Sequence, residues 1–334
     1  MMNDELNAMQ IQYTQLKKVL RERLKKDEPL APFTTFKIGG PADYFFEAKI
    51  REELIAAVRA AKQLLLPWFI LGGGSNLLIG DKGFRGLVIK NNTGKITLKG
   101  IRGRLRSGKA QGKVYVEAES GVNFNQLVRF AIEEGLGGLE MHLGLPGTVG
   151  GAIFMNSKWT KPVSYVGDAV YQADLLSEES EVRTVPAAYF LFGYDKSRIQ
   201  QTGEIVLSVV FALEQTDKNK LWETANASIK YRRMSQPQGV FSPGCTFRNL
   251  SQAQALSLPT PNQTVSAGFL IDHAGLAGYR IGDAQISLIH ANFIVNQGHA
   301  RAGEVIELIN LVKAKVKAKY GVSLEEEIIR VGEF

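Results

Sequence analysis

The 334-residue chain is 45% hydrophobic and 22% charged, and no apolar run approaches the ~20 residues that span a bilayer, which fits a soluble protein of roughly two domains and excludes membrane insertion. A single cysteine excludes an internal disulfide framework and a cysteine-based zinc site, and the four histidines, His142, His273, His290 and His299, show no paired ligand spacing, so no metal centre is expected. The formal net charge of +7 suits anionic partners, and Met1-Met2-Asn3-Asp4-Glu5 lacks the basic region and apolar core of a secretory signal, so the expected setting is the cytoplasm.

Apolar residues at helical spacing from Leu6 to Leu24 predict an N-terminal helix, and residues 1–28 are set apart on that basis. An extended section follows, with Thr35-Phe36-Lys37-Ile38-Gly39-Gly40-Pro41-Ala42 read as strand, glycine turn and restart. Arg51 to Leu66 is an amphipathic helix ended before Pro67, and Trp68–Leu71 is a short strand that delivers Gly72-Gly73-Gly74-Ser75-Asn76-Leu77-Leu78. Gly86–Lys90 and Lys113–Ala118 are further strands. Between them lies a run of Lys95, Lys99, Arg102, Arg104, Arg106, Lys109 and Lys113 without an acid. It has no interleaved aromatics and no nucleic-acid motif, so it reads as a solvated hairpin extension. Inside it Gly103–Ala110 imitates the phosphate loop G-x-x-x-x-G-K-[ST], but it ends in alanine and follows no buried strand. It is expected to be a solvated loop.

A helix over Asn125–Glu134 leads to a second glycine block, Gly144-Leu145-Pro146-Gly147-Thr148-Val149-Gly150-Gly151-Ala152, closed by Met155-Asn156. The chain is strand-rich from Ala169 to Leu213, and the charged segment 214–220 marks a domain junction. Trp222–Arg233 is helical, a helix starts over Ala267–Ala274, Phe293–Val295 is a buried strand, and Gly303–Lys319 is a long helix. The irregular alternation favours α+β lobes over a doubly wound sheet.

Glycine lets the backbone adopt positive φ and lets a bulky ligand lie against its N–H groups. Successive N–H donors form a concavity for anionic oxygens such as a pyrophosphate. Gly72, Gly74 and Leu77 fail the G-x-G-x-x-G pattern at its last position, which disfavours a Rossmann site. A tight turn explains either block alone, whereas two blocks favour a large phosphorylated cofactor. Three later segments carry residues that core packing does not require. Tyr231–Pro237 ends a helix with cations, as its dipole alone would favour. Gly244-Cys245-Thr246-Phe247-Arg248-Asn249 sets the only cysteine beside a cation and an amide, where a buried structural cysteine is the alternative. His290–Asn296 has polar groups on both sides of an apolar strand, as satisfied strand ends also would.

Taken in this order, together with Ser266-Ala267-Gly268, Ile271-Asp272 and Ala274-Gly275-Leu276, these segments resemble the UDP-N-acetylenolpyruvoylglucosamine reductase family, the UDP-N-acetylmuramate dehydrogenases, from about Leu30 to Gly332. The resemblance implies an α+β fold of the vanillyl-alcohol-oxidase (PCMH) type. Residues 29–213 would form a two-lobed FAD-binding domain divided near residue 92, and residues 214–334 an α+β substrate-binding domain whose last strand returns toward the first. By similarity, FAD is held by Ile38, Gly39, Gly72, Gly73, Gly74, Ser75, Asn76, Leu77, Pro146, Gly147, Thr148, Gly150, Gly151, Ala152 and Asn156. The substrate is contacted by Tyr194, Arg232, Gln236, Asn249, His290 and Asn292. The short interval from Tyr194 to Gly244 is similar to type II members, which lack a substrate-capping tyrosine loop.

The implied partners are small molecules, NADPH and the enolpyruvyl ether of a UDP-sugar; no nucleic acid is implied, and a monomer is expected. NADPH reduces FAD, and hydride then adds to the terminal vinyl carbon, leaving enolate-like charge that needs support and a proton. The family's proton donor is usually a serine in G-S-x-F-[KR]-N, matched here by Cys245. A thiol, of ordinary pKa about 8.5, is a far stronger acid than an aliphatic hydroxyl, so donation survives the change. The closing motif L-E-P-E-V-R-x-I-G is matched by Leu324-Glu325-Glu326-Glu327-Ile328-Ile329-Arg330-Val331-Gly332, which puts the catalytic glutamate at Glu327, with Glu325 as the competitor if the register slips. The family arginine of Y-R-x-S, which steadies the substrate carboxylate, is matched by Asp195; Arg198 or Lys196 is the expected replacement. The alternatives are another flavin oxidase of this fold, or a non-catalytic UDP-sugar or flavin-binding protein.

Overall fold

A computed structural model describes residues 2–106 and 109–334; Met1, at the start of the chain, and Ser107 and Gly108, in the phosphate-loop mimic, lie outside the described residues. The helices are α1 (Met2–Leu20), α2 (Arg51–Gln63), α3 (Phe124–Glu133), α4 (Val149–Met155), α5 (Ile199–Thr202), α6 (Lys218–Ser235), α7 (Gln252–Leu256), α8 (Ala267–His273) and α9 (Ala302–Tyr320). The first strands are β1 (Lys25–Pro29), β2 (Pro41–Ala48), β3 (Trp68–Leu71), β4 (Leu77–Ile79), β5 (Phe84–Asn91), β6 (Ile96–Arg106), β7 (Lys109–Glu119) and β8 (Leu136–Gly137). The remainder are β9 (Lys158–Thr160), β10 (Val163–Tyr165), β11 (Val170–Leu176), β12 (Val182–Pro186), β13 (Ile205–Gln215), β14 (Arg280–Ile281), β15 (Ala284–Ile286), β16 (Ile294–Asn296) and β17 (Ile329–Val331).

The chain divides into two units, one of Met1–Lys25, Tyr44–Gly73 and Leu87–Arg232, the other of Lys26–Asp43, Gly74–Gly86 and Arg233–Phe334. The first unit has two cores. In one, α2 buries Leu54, Ala57, Val58 and Ala61, a helical i, i+3, i+4, i+7 stripe, beside Leu16 and Leu20 of α1 and Leu87 and Ile89 of β5. There β3 runs parallel to β5, Trp68 opposite Leu87 and Leu71 opposite Lys90. The other core lies on an antiparallel sheet ordered β12-β11-β13-β7-β6. Its central strand β13 is buried on both faces: Ile205 and Leu207 join the first core, and Val206, Val209, Phe211 and Leu213 the second. Helix α3 packs Phe124, Leu127, Val128, Ala131 and Ile132 into that second core, and Asn123 caps it by accepting from Asn125 N at 3.0 Å.

The second unit is organised by α9, whose Val305, Leu308, Ile309, Val312 and Val316 form one apolar stripe against Phe36, Leu78, Leu270 and Ile294. Strands β14, β15 and β16 make an antiparallel sheet, and β17 pairs in parallel with β4, Ile329 opposite Leu77. Asp81, just past β4, accepts from Ala302 N at 2.9 Å and Gly303 N at 3.0 Å and so satisfies two orphan donors at the start of α9.

Two expectations are corrected. Thr35–Ile38 is irregular rather than a strand. Its backbone groups are engaged one at a time: Phe36 O accepts from Asn296 Nδ2 at 3.0 Å, and Thr35 N donates to Gly74 O at 3.1 Å. Phe36 and Ile38 are nevertheless buried. In the phosphate-loop mimic, the described residues Gly103–Arg106 lie in β6 and Lys109–Ala110 in β7, two paired strands rather than loop.

His142 is fully buried in the first unit, with Nε2 3.2 Å from Ser164 Oγ. Burial, reinforced by the charge of Arg232, pushes its pKa down from 6.5 to about 4. The imidazole therefore folds neutral. Its contribution to stability is complete above pH 6.5 and is lost as the pH falls toward 4, about 3 kcal/mol across that window. In thermal melts of wild type and His142→Gln, the stability gap is expected to narrow as the pH drops from 7 to 4; a gap independent of pH would mean that the ring is not held neutral.

Candidate functional site

In the first unit the two glycine blocks touch. A Cβ at Gly73 would lie 2.5 Å from Gly147 Cα, and one at Gly72 would lie 2.6 Å from Thr148 Oγ1. No side chain fits between them, so glycine is imposed at both positions by the approach of one loop to the other. Lys90, at the end of β5, donates from Nζ to Gly72 O, and burial lowers its pKa. Thr148 caps α4 by accepting from Gly151 N at 3.4 Å, and Gly150 N donates to Ser120 O at 2.8 Å. Pro146 is exposed and Ala152 is buried.

Gly151 differs from its neighbours. It lies within α4, is exposed, and has no positive φ; a Cβ there would meet only Thr148 Oγ1, at 3.7 Å. Nothing in the chain demands glycine, although glycine in a helix costs roughly 0.5–1 kcal/mol relative to alanine. Bare backbone left open at such a cost fits a bulky group lying flat against it.

Helix α4 ends at Asn156, buried and left-handed at φ 46°. Its amide Nδ2 donates to Gly193 O at 2.9 Å, and its Oδ1 accepts from Gly167 N at 3.0 Å. Asn156 thereby pins a tight turn in which Gly193 and Lys196 exchange backbone hydrogen bonds of 3.0 and 3.3 Å around Tyr194-Asp195. Within the strand-rich stretch 169–213, residues 193–196 thus form a turn, in which Asp195 has φ 51° and is buried. Lys196 is exposed, and the Arg198 guanidinium stands 4.5 Å from the Tyr189 ring centroid. The cation at Tyr194 is Lys158 of β9, with Nζ 3.3 Å from the ring centroid. Arg232 lies over Trp159 at 4.8 Å.

The second unit gathers five of the other site candidates, Asn76, Cys245, His290, Asn292 and Glu327, around one short segment. Gly244 has φ 91°, and Cys245, partly buried, is bridged to Phe293. Thr246 N donates to Asn292 O at 2.7 Å, while the buried Asn292 amide bonds the Phe247 peptide twice, accepting from its N at 2.9 Å and donating to its O at 2.8 Å. His290 Nδ1 accepts from Asn292 N at 3.3 Å, and burial lowers the His290 pKa, so the ring is neutral at physiological pH. Glu327 N donates to Thr246 O at 2.8 Å, and Glu327 O accepts from Asn76 Nδ2 at 3.1 Å. Asn76, Cys245, His290, Asn292 and Glu327 thus belong to one hydrogen-bonded block.

The neighbouring glutamates are placed differently. Glu325 is exposed, 3.8 Å from Arg248 Nη1. Glu326 is bonded by Lys313 and by Arg330 at 2.8 Å through two nitrogens; burial opposes its ionisation, but these partners outweigh it and hold its pKa low. Asn249 Oδ1 accepts from Ala267 N at 3.1 Å, next to the start of α8. Ile38 is buried in the core, Gly39 packs on Ile79, Gly74 lies against Phe33 and Thr34, Ser75 is partly buried, and Leu77 pairs with Ile329. Gln236 O accepts from Gln238 Nε2 at 3.1 Å. Sequence reasoning missed Lys90 and Lys158. The first carried a signal, a lysine closing the apolar run Leu87-Val88-Ile89; the second carried none. Among the described residues no group of three His, Cys, Asp or Glu side chains could hold a metal, and no helix is long and apolar enough to cross a membrane.

Residues 42–185 match the model of an FAD binding domain, and residues 236–331 match that of the UDP-N-acetylenolpyruvoylglucosamine reductase C-terminal domain. The reductase of Heliobacterium modesticaldum is 35% identical over 96% of this chain and 94% of its own, and that of Alkaliphilus oremlandii is 37% identical over 99% of each. Among solved structures, the UDP-N-acetylenolpyruvylglucosamine reductase of Thermus caldophilus superposes with a TM-score of 0.73 at 32% identity, covering 92% of this chain and 98% of that one. A vanillyl-alcohol-oxidase-type flavoprotein of Myceliophthora thermophila, at 9% identity and TM-score 0.53 over 92% of this chain and 85% of that one, shares the fold alone. With an FAD-binding domain followed by the reductase domain on a vanillyl-alcohol-oxidase-type scaffold, the protein belongs to the UDP-N-acetylenolpyruvoylglucosamine reductase family.

Proposed function

We propose that the protein reduces the enolpyruvyl ether of UDP-N-acetylglucosamine to UDP-N-acetylmuramate with FAD and NADPH, a step of peptidoglycan precursor synthesis that serves cell shape and division, and that it acts as a cytoplasmic monomer. Residues 29–213 serve FAD binding and residues 214–334 serve the substrate. The observation that carries the FAD reading is Gly151, whose bare backbone nothing in the chain requires.

FAD, when bound, supplies the hydride chemistry between NADPH and the vinyl ether. The protein's own groups orient and protonate. Lys90 and Thr148 set the glycine loops that receive the cofactor. Cys245 delivers the Sγ proton to the carbon next to the substrate carboxylate, where enolate charge accumulates, and the thiolate left behind is reprotonated from water. Glu327 is tied through its backbone to Thr246, which sets it beside the cysteine segment and supports it as the second catalytic group. A neutral His290 and the backbone-fixing Asn292 keep that segment in place.

Two measurements test this reading. Gly151→Ala is expected to leave the apoprotein as stable or up to about 1 kcal/mol more stable, while FAD titration shows at least a tenfold loss of affinity; unchanged flavin affinity would remove the cofactor from this helix. Cys245→Ala should lower turnover of the enolpyruvyl substrate by roughly 10²–10⁴, Cys245→Ser should recover part of it, and flavin bleaching by NADPH in stopped flow should keep its rate in both. Undiminished substrate turnover in the alanine variant would eliminate the thiol as the acid.

A further inference from the structure

Lys90 brings a positive charge to the glycine loops of the first unit. It stands near the end of β5, opposite Leu71 of the parallel strand β3, beside the point where β3 delivers the first glycine block. Its side chain is partly buried and donates from Nζ to Gly72 O. Among the described residues, the carboxylate that acts on it through space is Glu47, which is bonded by Asn92 Nδ2. Resting on the reading of these loops as the FAD site, we propose that Lys90 is a cofactor-binding residue whose ammonium neutralises the pyrophosphate of FAD.

A neutral donor would satisfy Gly72 O as well as an ammonium does, and at lower cost. Taking a charge out of water is penalised unless an opposite charge compensates it. Burial accordingly lowers the Lys90 pKa. Other cations of this unit meet a carboxylate directly: Arg51 Nη1 is 2.8 Å from Asp174 Oδ2, and Arg183 Nε donates to Glu204 Oε1 at 3.0 Å. Lys90 spends its charge on a carbonyl instead, an arrangement that suits a cation whose counter-charge arrives with a bound anion.

A short series of contacts joins Lys90 to both glycine blocks. A Cβ at Gly72, whose carbonyl it holds, would lie 2.6 Å from Thr148 Oγ1, and that oxygen accepts from Gly151 N at 3.4 Å. The next residue, Gly73, meets Gly147 in the same way, with a Cβ only 2.5 Å from its Cα. The ammonium therefore sits where the two blocks converge. It has three donors and can keep Gly72 O while bonding a phosphate oxygen. Oxidised flavin and adenosine are neutral, so the pyrophosphate carries the only charges that FAD offers such a group.

The test is binding of oxidised FAD to the apoprotein, followed by flavin fluorescence, in wild type, Lys90→Gln, Lys90→Met and Lys90→Arg, with a thermal melt of each apoprotein. Glutamine keeps a donor for Gly72 O without the charge, and methionine removes both. Lys90→Gln and Lys90→Met are expected to weaken FAD binding roughly 10- to 100-fold, the size of a charge-assisted hydrogen bond. Lys90→Arg should recover most of that loss, and the Lys90→Gln apoprotein should melt within about 3 °C of wild type. Wild-type affinity in Lys90→Gln, with a loss confined to Lys90→Met, would leave Lys90 as the donor to Gly72 O alone and overturn the proposal. Weakened binding in Lys90→Gln together with a clearly less stable apoprotein would overturn it as well, by making Lys90 a structural residue. So would a shifted flavin midpoint potential with undiminished affinity for oxidised FAD, which would put the ammonium at the ring. Wild-type apoprotein that takes up no FAD would defeat the cofactor reading itself, whereas a loss in Gly151→Ala without one in Lys90→Gln would defeat the assignment of Lys90 alone.

Discussion

The backbone contact between Gly73 and Gly147 is the constraint on which the cofactor side of the first unit depends. The two residues are far apart in the chain, yet a single methyl group at either Gly72 or Gly73 would meet the opposite loop within 2.6 Å. At Gly73 the contact cannot be relieved by a change of rotamer, because Gly147 Cα is backbone. The loops therefore form one continuous surface of peptide groups, and that surface is braced from below: Lys90 holds the carbonyl of Gly72, and Thr148 uses one hydroxyl both to border Gly72 and to cap α4. Glycine serves two purposes here. At 72 and 73 it permits protein to meet protein, whereas at 151 a Cβ would meet only Thr148 Oγ1, at 3.7 Å.

The second unit solves a different problem, that of holding an irregular segment by remote partners. The segment Cys245–Arg248 is short and irregular, and its peptides are satisfied by partners distant in sequence: Asn292 O for Thr246 N, the Asn292 amide for both groups of Phe247, and Glu325 O for Arg248 N. Asn292 thus acts as one rung of a β-ladder supplied by a side chain. Each bond is worth about 1 kcal/mol net, but losing the amide would strand a buried N–H and a buried C=O together, which costs more than the bonds contribute. The segment is thus positioned by remote backbone groups and by the Asn292 side chain.

Periodic elements were legible where a core-facing stripe was long enough to declare its period. The i, i+3, i+4 pattern of α2, α3 and α9 and the apolar strand Trp68–Leu71 follow from the residues alone. What escaped was backbone whose partners are remote. Thr35–Ile38 has the alternation of a strand, but Asn296 and Gly74 take its hydrogen bonds singly, and no window of sequence contains them. The turn at Tyr194-Asp195 has no central glycine or proline, and its only local sign is an aspartate, one of the few residue types that enter the left-handed region at modest cost. The FAD-binding domain and reductase domain were visible because their motifs are colinear; the placement of Lys158 on Tyr194 depends on a hairpin returning to a turn some thirty-five residues later.

That placement also clarifies why Arg198 is a poor donor of charge to the site. Glu204 is buried and is held ionised by its partners: desolvation opposes its charge, while Tyr189, Arg183 at 3.0 Å and Thr202 at 2.8 Å outweigh it and keep its pKa low. Arg198 covers the face of the same Tyr189 ring that donates to this carboxylate. Withdrawing it toward a substrate would uncover the ring and remove a cation from the surroundings of a buried anion, a cost paid in the free enzyme's own stability.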